Sequence, residues 1–195
     1  MFIDENRAVA LLRKYSNSKH DFEIVIAHSK KVQEVALEYA NAIEGVDIDF
    51  IRTAAILHDI GRFRCPPWRN SVLHGVEGGK ILRKEGLPKY ARVAERHLGA
   101  GITTQDITQQ GLNLPKKDFV PKTVEEKIIT ISDKLVKMGK RISIASVCKS
   151  FKKDVNPQSA GRIIALYREV EGLKSGFGKA QRGAAKAFSK DSSKG

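Results

Sequence analysis

Apolar residues recur at helical spacing through most of this chain, and the two-residue alternation typical of half-buried strands is scarce. Val25, Val32 and Val35 repeat at intervals that place them on one face of a helix. Similar stripes recur within residues 51–57 and 128–135, and glycines and prolines separate these segments. The pattern predicts an all-α fold, a single-domain helical bundle with short irregular loops.

Breakers and capping residues predict where the helices begin and end. Gly61 is expected to end the helix before it as a C-terminal glycine. Residues 103–121 are polar and contain glycine and proline, so an irregular segment is expected there. Thr123, with Glu126 three residues later, predicts a capping box. The apolar face of the helix that this box opens is expected to reach Met138.

The composition changes near residue 174. Residues 174–195 contain six Lys or Arg and one Asp, with few residues able to anchor a packed helix. We therefore expect residues 1–173 to form the folded domain and residues 174–195 to form a basic tail, flexible or partly helical. A solvated terminus with no function is an equally good interpretation of this tail.

The charge and the cysteines limit the class of protein. A net charge of +13, from 35 Lys and Arg against 22 Asp and Glu, favours anionic partners such as phosphates, nucleotides or nucleic acid. No apolar run reaches the ~18 residues of a membrane span, and the first residues do not resemble a secretory signal. Cys65 and Cys148 form no CxxC pair, which excludes a disulfide framework and a cysteine-type zinc site. We expect a cytoplasmic protein.

A histidine and an aspartate stand together at the end of an apolar run, in the string AAILHDIG that contains His58 and Asp59. A lone buried carboxylate costs on the order of several kcal/mol, and a metal ion is a partner that would also use His58. His28 lies 30 residues earlier, about the length of a helix, a turn and the return, and Asp133 also follows an apolar stretch. Such ligands suit Mn²⁺, Fe²⁺, Co²⁺, Ni²⁺, Zn²⁺ or Mg²⁺. Taken singly, each residue is better explained as a helix-end charge or a core histidine.

The order His28, His58-Asp59, Asp133 on successive predicted helices resembles the HD superfamily of metal-dependent phosphohydrolases. The string Leu57–Gly61 resembles the HDIG version of its central motif, and the resemblance covers about residues 20–140. It implies an HD-type helical domain in which His28, His58, Asp59 and Asp133 hold a divalent ion. It also implies that a metal-activated water hydrolyses a phosphomonoester, a nucleotide, or a phosphodiester or phosphoanhydride bond, with His58 and Asp59 as the catalytic residues.

Two further histidines, His74 and His97, complete an H…HD…H…H…D order. That order resembles the branches of the superfamily that hold two metals, among them enzymes that cleave dinucleoside tetraphosphates and cyclic nucleotides. The resemblance implies that Asp59 bridges to a second ion held by His74 and His97. A one-metal site, with both histidines at the surface or against substrate, is the alternative.

Two basic residues are candidates for binding the substrate phosphate. Arg62 occupies a position that is often basic in HDIG proteins, and a guanidinium suits phosphate oxygens. Lys134 follows Asp133, although neighbouring residues on a helix point ~100° apart, so exposure is the alternative. The expected partner is a phosphorylated small molecule or nucleotide, with nucleic acid possible through the basic tail.

A protein of another class is also compatible with this sequence. It is an HD-fold nucleotide- or RNA-binding protein that keeps a structural metal and catalyses nothing, an alternative that the net charge motivates. Nothing in the sequence selects the substrate, the metal, the number of ions (one or two) or the oligomeric state.

Overall fold

Helices make up most of the structure, a computed structural model that describes residues 2–65, 72–154 and 158–174. They are α1 (Glu5–Tyr15), α2 (Lys19–Asn41), α3 (Ile48–Leu57), α4 (Leu73–Lys84), α5 (Pro88–Arg96), α6 (Thr104–Gln109), α7 (Val124–Lys134), α8 (Ile144–Asp154) and α9 (residues 158–174). A short 3₁₀ turn, Ile60–Phe63, follows α3. An antiparallel hairpin, β1 (Val136–Lys137) with β2 (Lys140–Arg141), joins α7 to α8. The predicted all-α fold is confirmed.

The core lies where α2 and α3 pack together and α7 and α1 pack against them, while α4 packs along α5. Ile51, Ile56, Leu57 and Ile128 are completely buried there. Burial of each such side chain contributes about 1.5–3 kcal/mol, so the apolar stripes seen in the sequence hold these helices together. Among the residues that the structure describes, no helix is long and apolar enough to cross a membrane.

Gly61 does not end α3, contrary to expectation. The helix ends at Leu57, and Gly61 lies inside the 3₁₀ turn. A Cβ atom at Gly61 would lie 1.9 Å from the carbonyl oxygen of His74 and 2.5 Å from the amide nitrogen of Gly78. Close approach of the turn to α4 therefore explains this glycine, and that approach brings the HD motif alongside the first turn of α4.

The prediction of an irregular segment at 103–121 was wrong for its first part, which forms α6. The Thr103 side chain accepts a hydrogen bond from the Asp106 amide, and the Asp106 carboxylate accepts one from the Thr103 amide at 2.8 Å. This reciprocal cap stabilises a helix too short to show a clear apolar period. Ile107 of α6 is buried against Phe119, in a small cluster beside the main core.

The cap and the end of α7 also differ from expectation. Thr123 accepts from the Glu126 amide as predicted, but the Glu126 carboxylate binds the guanidinium of Arg96 at 2.9 Å. Met138 is not on the apolar face: α7 ends at Lys134, and Met138 is 92% exposed at the hairpin tip. Met138 and Gly139 both have positive φ, at 50° and 72°, as a two-residue hairpin turn requires.

The structure describes the C-terminal part of the chain only as far as residue 174. Helix α9 runs to residue 174, where the basic tail was expected to begin. Residues 175–195, nearly all of that tail, lie outside the described residues. The boundary at 173 and the flexible or partly helical tail stay predictions.

Candidate metal centre

The six residues predicted as metal ligands come together from separate elements of the fold. Three project from within helices, and three stand at helix ends where the chain turns. They are His28 in α2, His58 and Asp59 after α3, His74 in α4, His97 after α5 and Asp133 in α7. All except His28 are buried or at the edge of burial.

One group of side chains forms around Asp133. Its Oδ1 lies 2.9 Å from the Nε2 of His28 and 3.6 Å from the Nε2 of His58. One ligand atom from each of these three residues lies within 4.8 Å of the other two, close enough to share an ion. The Oδ2 of Asp59 completes the group, at 3.7 Å from His28 Nε2 and 3.8 Å from His58 Nε2.

A second group forms on the other side of Asp59. The Oδ1 of Asp59 lies 3.1 Å from the Nε2 of His74 and 3.4 Å from the Nε2 of His97. The two Nε2 atoms are themselves 3.1 Å apart. Asp59 therefore faces one group with each of its two carboxylate oxygens.

Backbone carbonyls set the protonation of two of the rings. The Nδ1 of His58 donates to the carbonyl oxygen of Ala55 at 2.7 Å, and the Nδ1 of His97 donates to that of Ala94 at 2.8 Å. With Nδ1 carrying a proton, the Nε2 of a neutral ring presents its lone pair to the centre. The buried Nε2 of His58 has no hydrogen-bond partner among the described residues.

The donor set fits a divalent cation. Two ligands that each lie ~2.1 Å from one ion are about 3.0–3.4 Å apart, close to the spacings of His74, His97 and Asp59 Oδ1. An unpartnered lone pair on His58, facing two carboxylates, is explained by a positive charge between them. Because no thiolate is present, the set resembles a catalytic centre more than a structural zinc site.

The shifted pKa values of His58 and Asp59 also favour a cation at the centre. Burial lowers the pKa of His58, but Asp59, Asp133 and the Ala55 carbonyl outweigh burial and raise it. A centre that draws a proton onto a buried imidazole also attracts a metal cation in its place. Burial raises the pKa of Asp59, yet His58 and then His74 and His97 outweigh it and hold that pKa well below its usual range.

Two more of the six candidate ligands, Asp133 and His97, are also in the forms that a metal needs. Burial raises the pKa of Asp133, but Lys134, His28 and His58 bring it well below the ordinary value. Burial, reinforced by His58 and His74, lowers the pKa of His97 to about 4 in spite of Asp59. At neutral pH Asp133 is therefore ionised and His97 is neutral.

Two cavities open beside the centre. The larger, of about 530 Å³, is lined by His28, Asp59 and Asp133. The smaller, of about 250 Å³, lies on the side of His74 and is bordered by residues 98–102. Together they are in the size range of small-ligand sites.

Both residues proposed from the sequence as phosphate contacts line the two cavities. The Nε of Arg62 lies 3.3 Å from Asp59 Oδ1, and the ammonium of Lys134 contacts Asp133 Oδ2. Lys134 thus faces the centre, although it follows Asp133 directly in the chain. The side chains of Arg62 and Lys134 can therefore both contact a group that is bound where the two cavities meet.

Helix α8 contributes a residue that was missed in the sequence. Phe151 lines both cavities, and Val147 and Ser150 line the larger one. The signal was present, because Ile144, Val147 and Phe151 recur at i, i+3 and i+7, the spacing of one helical face.

Ion pairs hold the helices that carry the candidate ligands. Arg96, next to His97, binds Glu126 of α7 through both carboxylate oxygens at 2.9 Å. Arg83 of α4 binds Glu95 of α5 at 2.7 and 2.8 Å. Because Glu126 and Glu95 are nearly buried, these pairs fix α5 between its two neighbours and thereby fix His97.

A helical domain with a buried histidine–aspartate centre defines the class of this protein. Residues 25–138 match the HD domain family, and the chain belongs to that family, whose members bind divalent metals. The resemblance to the HD superfamily of metal-dependent phosphohydrolases is thereby confirmed.

Relatives extend the match beyond the motif. The chain is 42% identical to an uncharacterized protein of Methanocaldococcus jannaschii over 158 residues, which cover 77% of this chain and 90% of that protein. It is 33% identical over 171 residues to the tRNA (cytidine(56)-2'-O)-methyltransferase of Picrophilus torridus, and 34% identical over 166 residues to that of Thermoplasma volcanium. The matches cover 87% and 85% of this chain but only 47% and 46% of the methyltransferases, so the chain spans about half of their length.

A solved structure shows the same fold. The HD domain of the Listeria monocytogenes phosphodiesterase PgpH superposes with a TM-score of 0.50 at 16% identity, covering 89% of this chain and 98% of that domain.

Proposed function

We propose that this protein is a metal-dependent phosphohydrolase that uses water to cleave a phosphomonoester, a nucleotide, or a phosphodiester or phosphoanhydride bond. The observation that carries the proposal is the position of Asp59, whose two oxygens face two separate groups of imidazoles. A single structural ion has no need of six such donors.

In this proposal His28, His58, Asp59 and Asp133 hold one divalent ion, and Asp59, His74 and His97 hold a second. Bound ions of this kind supply Lewis acidity and lower the pKa of water, so that hydroxide forms near neutral pH. The carbonyls of Ala55 and Ala94 keep two of the imidazoles oriented as ligands.

The remaining residues bind and orient the phosphate. Arg62 and Lys134 lie beside the two carboxylates and line both cavities, so they are placed to contact non-bridging phosphate oxygens. Phe151 and the other apolar residues around it limit the access of bulk water. Hydrolysis forms a bond from phosphorus to the oxygen of water and breaks the bond to the leaving oxygen, which takes up a proton.

The test is turnover of p-nitrophenyl phosphate, bis(p-nitrophenyl) phosphate and nucleotides by protein loaded with Mn²⁺, Fe²⁺, Co²⁺, Ni²⁺, Zn²⁺ or Mg²⁺. Asp59→Asn and His58→Ala are expected to abolish turnover. His20→Ala removes an exposed histidine outside the centre and serves as the matched control. Failure to hydrolyse any of these substrates with any of the ions would contradict the proposal.

A second candidate is an HD-fold RNA-binding protein that keeps its ions and catalyses nothing. It is favoured by the relationship to two enzymes that act on tRNA and by the net charge of +13. Salt-dependent binding of tRNA that persists in Asp59→Asn, without turnover of any phosphate ester by the wild type, is the outcome that selects it.

A further inference from the structure

A strongly basic segment follows the last ligand of the candidate centre. Residues 134–153 contain seven Lys or Arg and no Asp or Glu. They form the end of α7, the β1–β2 hairpin and most of α8. We call this surface the cationic wall.

The cationic wall forms one side of the larger cavity. Lys134, Lys137, Ser150 and Phe151 all line that cavity, as does His28 of α2. The positive surface is therefore continuous with the proposed hydrolytic centre.

Most of the charges on the wall have no ion-pair partner among the residues that the structure describes. Lys134 contacts Asp133 and Arg141 contacts Glu38. By contrast, no ion pair with any described side chain involves Lys137, Lys140, Lys149, Lys152 or Lys153. Like charges gathered without partners repel one another, and a polyanion relieves that repulsion.

The surface suits a hydrophilic polyanion better than a lipid bilayer. Amphipathic membrane-binding helices need a broad apolar face exposed beside their lysines. On the described part of the wall, Met138 is the one large apolar side chain that is strongly exposed. The smaller cavity shares Arg62, Lys134 and Phe151 with the larger one, so the two cavities adjoin at these side chains beside the centre.

From this arrangement we infer that the cationic wall binds a single nucleic-acid strand and brings one of its phosphates to the metal centre. The delivery of that phosphate for hydrolysis rests on the proposed function, whereas the binding of the strand does not. The substrate class is thereby a phosphodiester chain, in which phosphate groups next to the reacting one contact Lys137 and Lys140 of the hairpin.

The test compares two double variants of equal charge. Lys137→Gln/Lys140→Gln, the hairpin variant, removes two exposed lysines that are cross-strand partners in the β1–β2 hairpin, of which Lys137 lines the larger cavity. Lys84→Gln/Lys89→Gln removes two exposed lysines at the ends of α4 and α5 farthest from His74 and His97, Lys84 lying ten residues or ~15 Å along α4 from His74. Because both variants keep residues 175–195, any binding by the basic tail is common to them.

Binding of a fluorescein-labelled single-stranded RNA is measured by anisotropy between about 50 and 200 mM salt. The protein, with residues 1–195, is kept in EDTA for this measurement, so that no strand is cleaved. Each phosphate contact contributes about 0.7 to the slope of log affinity against log salt. Between these two salt concentrations the loss of affinity of the hairpin variant is therefore expected to be about sevenfold smaller than that of the wild type, and the control variant is expected to match the wild type. Thermal melting of both variants verifies that they are folded.

The outcomes separate this inference from the proposed function. Equal effects of the two variants, or no RNA binding by the wild type, overturn the inference. Binding to vesicles containing phosphatidylserine, lost in the hairpin variant while RNA is not bound, assigns the wall to a membrane and also overturns the inference. Hydrolysis of bis(p-nitrophenyl) phosphate without RNA binding supports the proposed function and overturns the inference about the wall. RNA binding that depends on the wall, without hydrolysis in the presence of any of the ions, supports the wall as a binding surface and contradicts the proposed hydrolase function.

Discussion

The Nε2 atoms of His74 and His97 lie 3.1 Å apart, although 23 residues separate them in the chain. Both also lie within 3.4 Å of one oxygen of Asp59. Two neutral imidazoles gain little from such an approach unless one donates a proton or both bind the same cation. The arrangement therefore favours a second ion beside the one expected at His28, His58 and Asp133.

Removal of His74 is expected to lower the metal content from two ions per chain to one. Turnover is expected to fall at least about 100-fold, because a second ion supplies several kcal/mol of transition-state stabilisation. Elemental analysis of His74→Ala, with His20→Ala as the control, measures this directly. Two ions in both variants would show that His74 is not a ligand.

Added metal is expected to stabilise the folded protein. Burial of Asp59 and Asp133 together is unfavourable without a cation, and an ion at a hundredfold excess over its Kd adds about 2.7 kcal/mol. The melting temperature of EDTA-treated protein should rise with Mn²⁺, and Asp59→Asn should abolish most of that rise. An equal rise in the variant would place the bound ion elsewhere.

The contact between the 3₁₀ turn and α4 is expected to be intolerant of a methyl group at Gly61. A Cβ there would lie 1.9 Å from the His74 carbonyl oxygen, so Gly61→Ala should cost about 3 kcal/mol or more in the free energy of unfolding. A Cβ atom at Gly161 of α9 would meet no described atom within 4 Å, so Gly161→Ala should instead stabilise by about 1 kcal/mol. Urea denaturation distinguishes the two, and a neutral Gly61→Ala would contradict the proposed reason for the glycine.

The ion pair between Arg96 and Glu126 is expected to contribute more to the free energy of unfolding than an exposed ion pair that also involves α7. Arg96→Gln leaves the nearly buried carboxylate of Glu126 without its closest cation and should cost about 3 kcal/mol. Glu169→Gln breaks the exposed pair with Lys127 and should change stability by less than about 1 kcal/mol. Comparable losses in the two variants, measured by urea denaturation, would argue against burial as the cause.

Acid is expected to weaken the packing of α4 on α5 through Glu95. Burial raises the pKa of Glu95, but Arg83 and then Lys117 outweigh it and bring the pKa below its ordinary value of 4.5. A carboxylate with a lowered folded pKa stabilises the protein above its unfolded pKa, and this contribution disappears as the pH falls through the folded pKa. Stability measured from pH 6 down to pH 3 should therefore fall less steeply in Glu95→Gln than in the wild type. Parallel curves would show that Glu95 does not contribute to the acid dependence.

Much of the centre was predictable because it depends on residue type and on local pattern. His58 and Asp59 at the end of an apolar helix indicated a metal ion as their partner. The order of His28, His74, His97 and Asp133 around them indicated the other candidate ligands. The structure brings all six side chains together, while their assignment as ligands stays a prediction until an ion is measured.

Other features were not predictable from local pattern. Met138 continues the apolar spacing of α7, but the positive φ angles of Met138 and Gly139 turn the chain into a hairpin. Gly61 has the sequence position of a helix-ending glycine. A glycine is needed there, however, because the turn contacts α4 at His74, 13 residues further along the chain. Phe151 reached the cavities through the packing of α8, an element overlooked in the sequence.

The sequence by itself determined the helical class, the family and the chemical character of the candidate centre. Helical periodicity arises from neighbours three and four residues apart, and donor chemistry belongs to each side chain, so both can be read locally. Only the tertiary structure decided that Asp59 turns one oxygen toward each histidine group, and that α8 and the hairpin place a cationic wall beside them. Those relationships depend on how distant helices pack, and packing is set by the shapes of many side chains together rather than by any short stretch of chain.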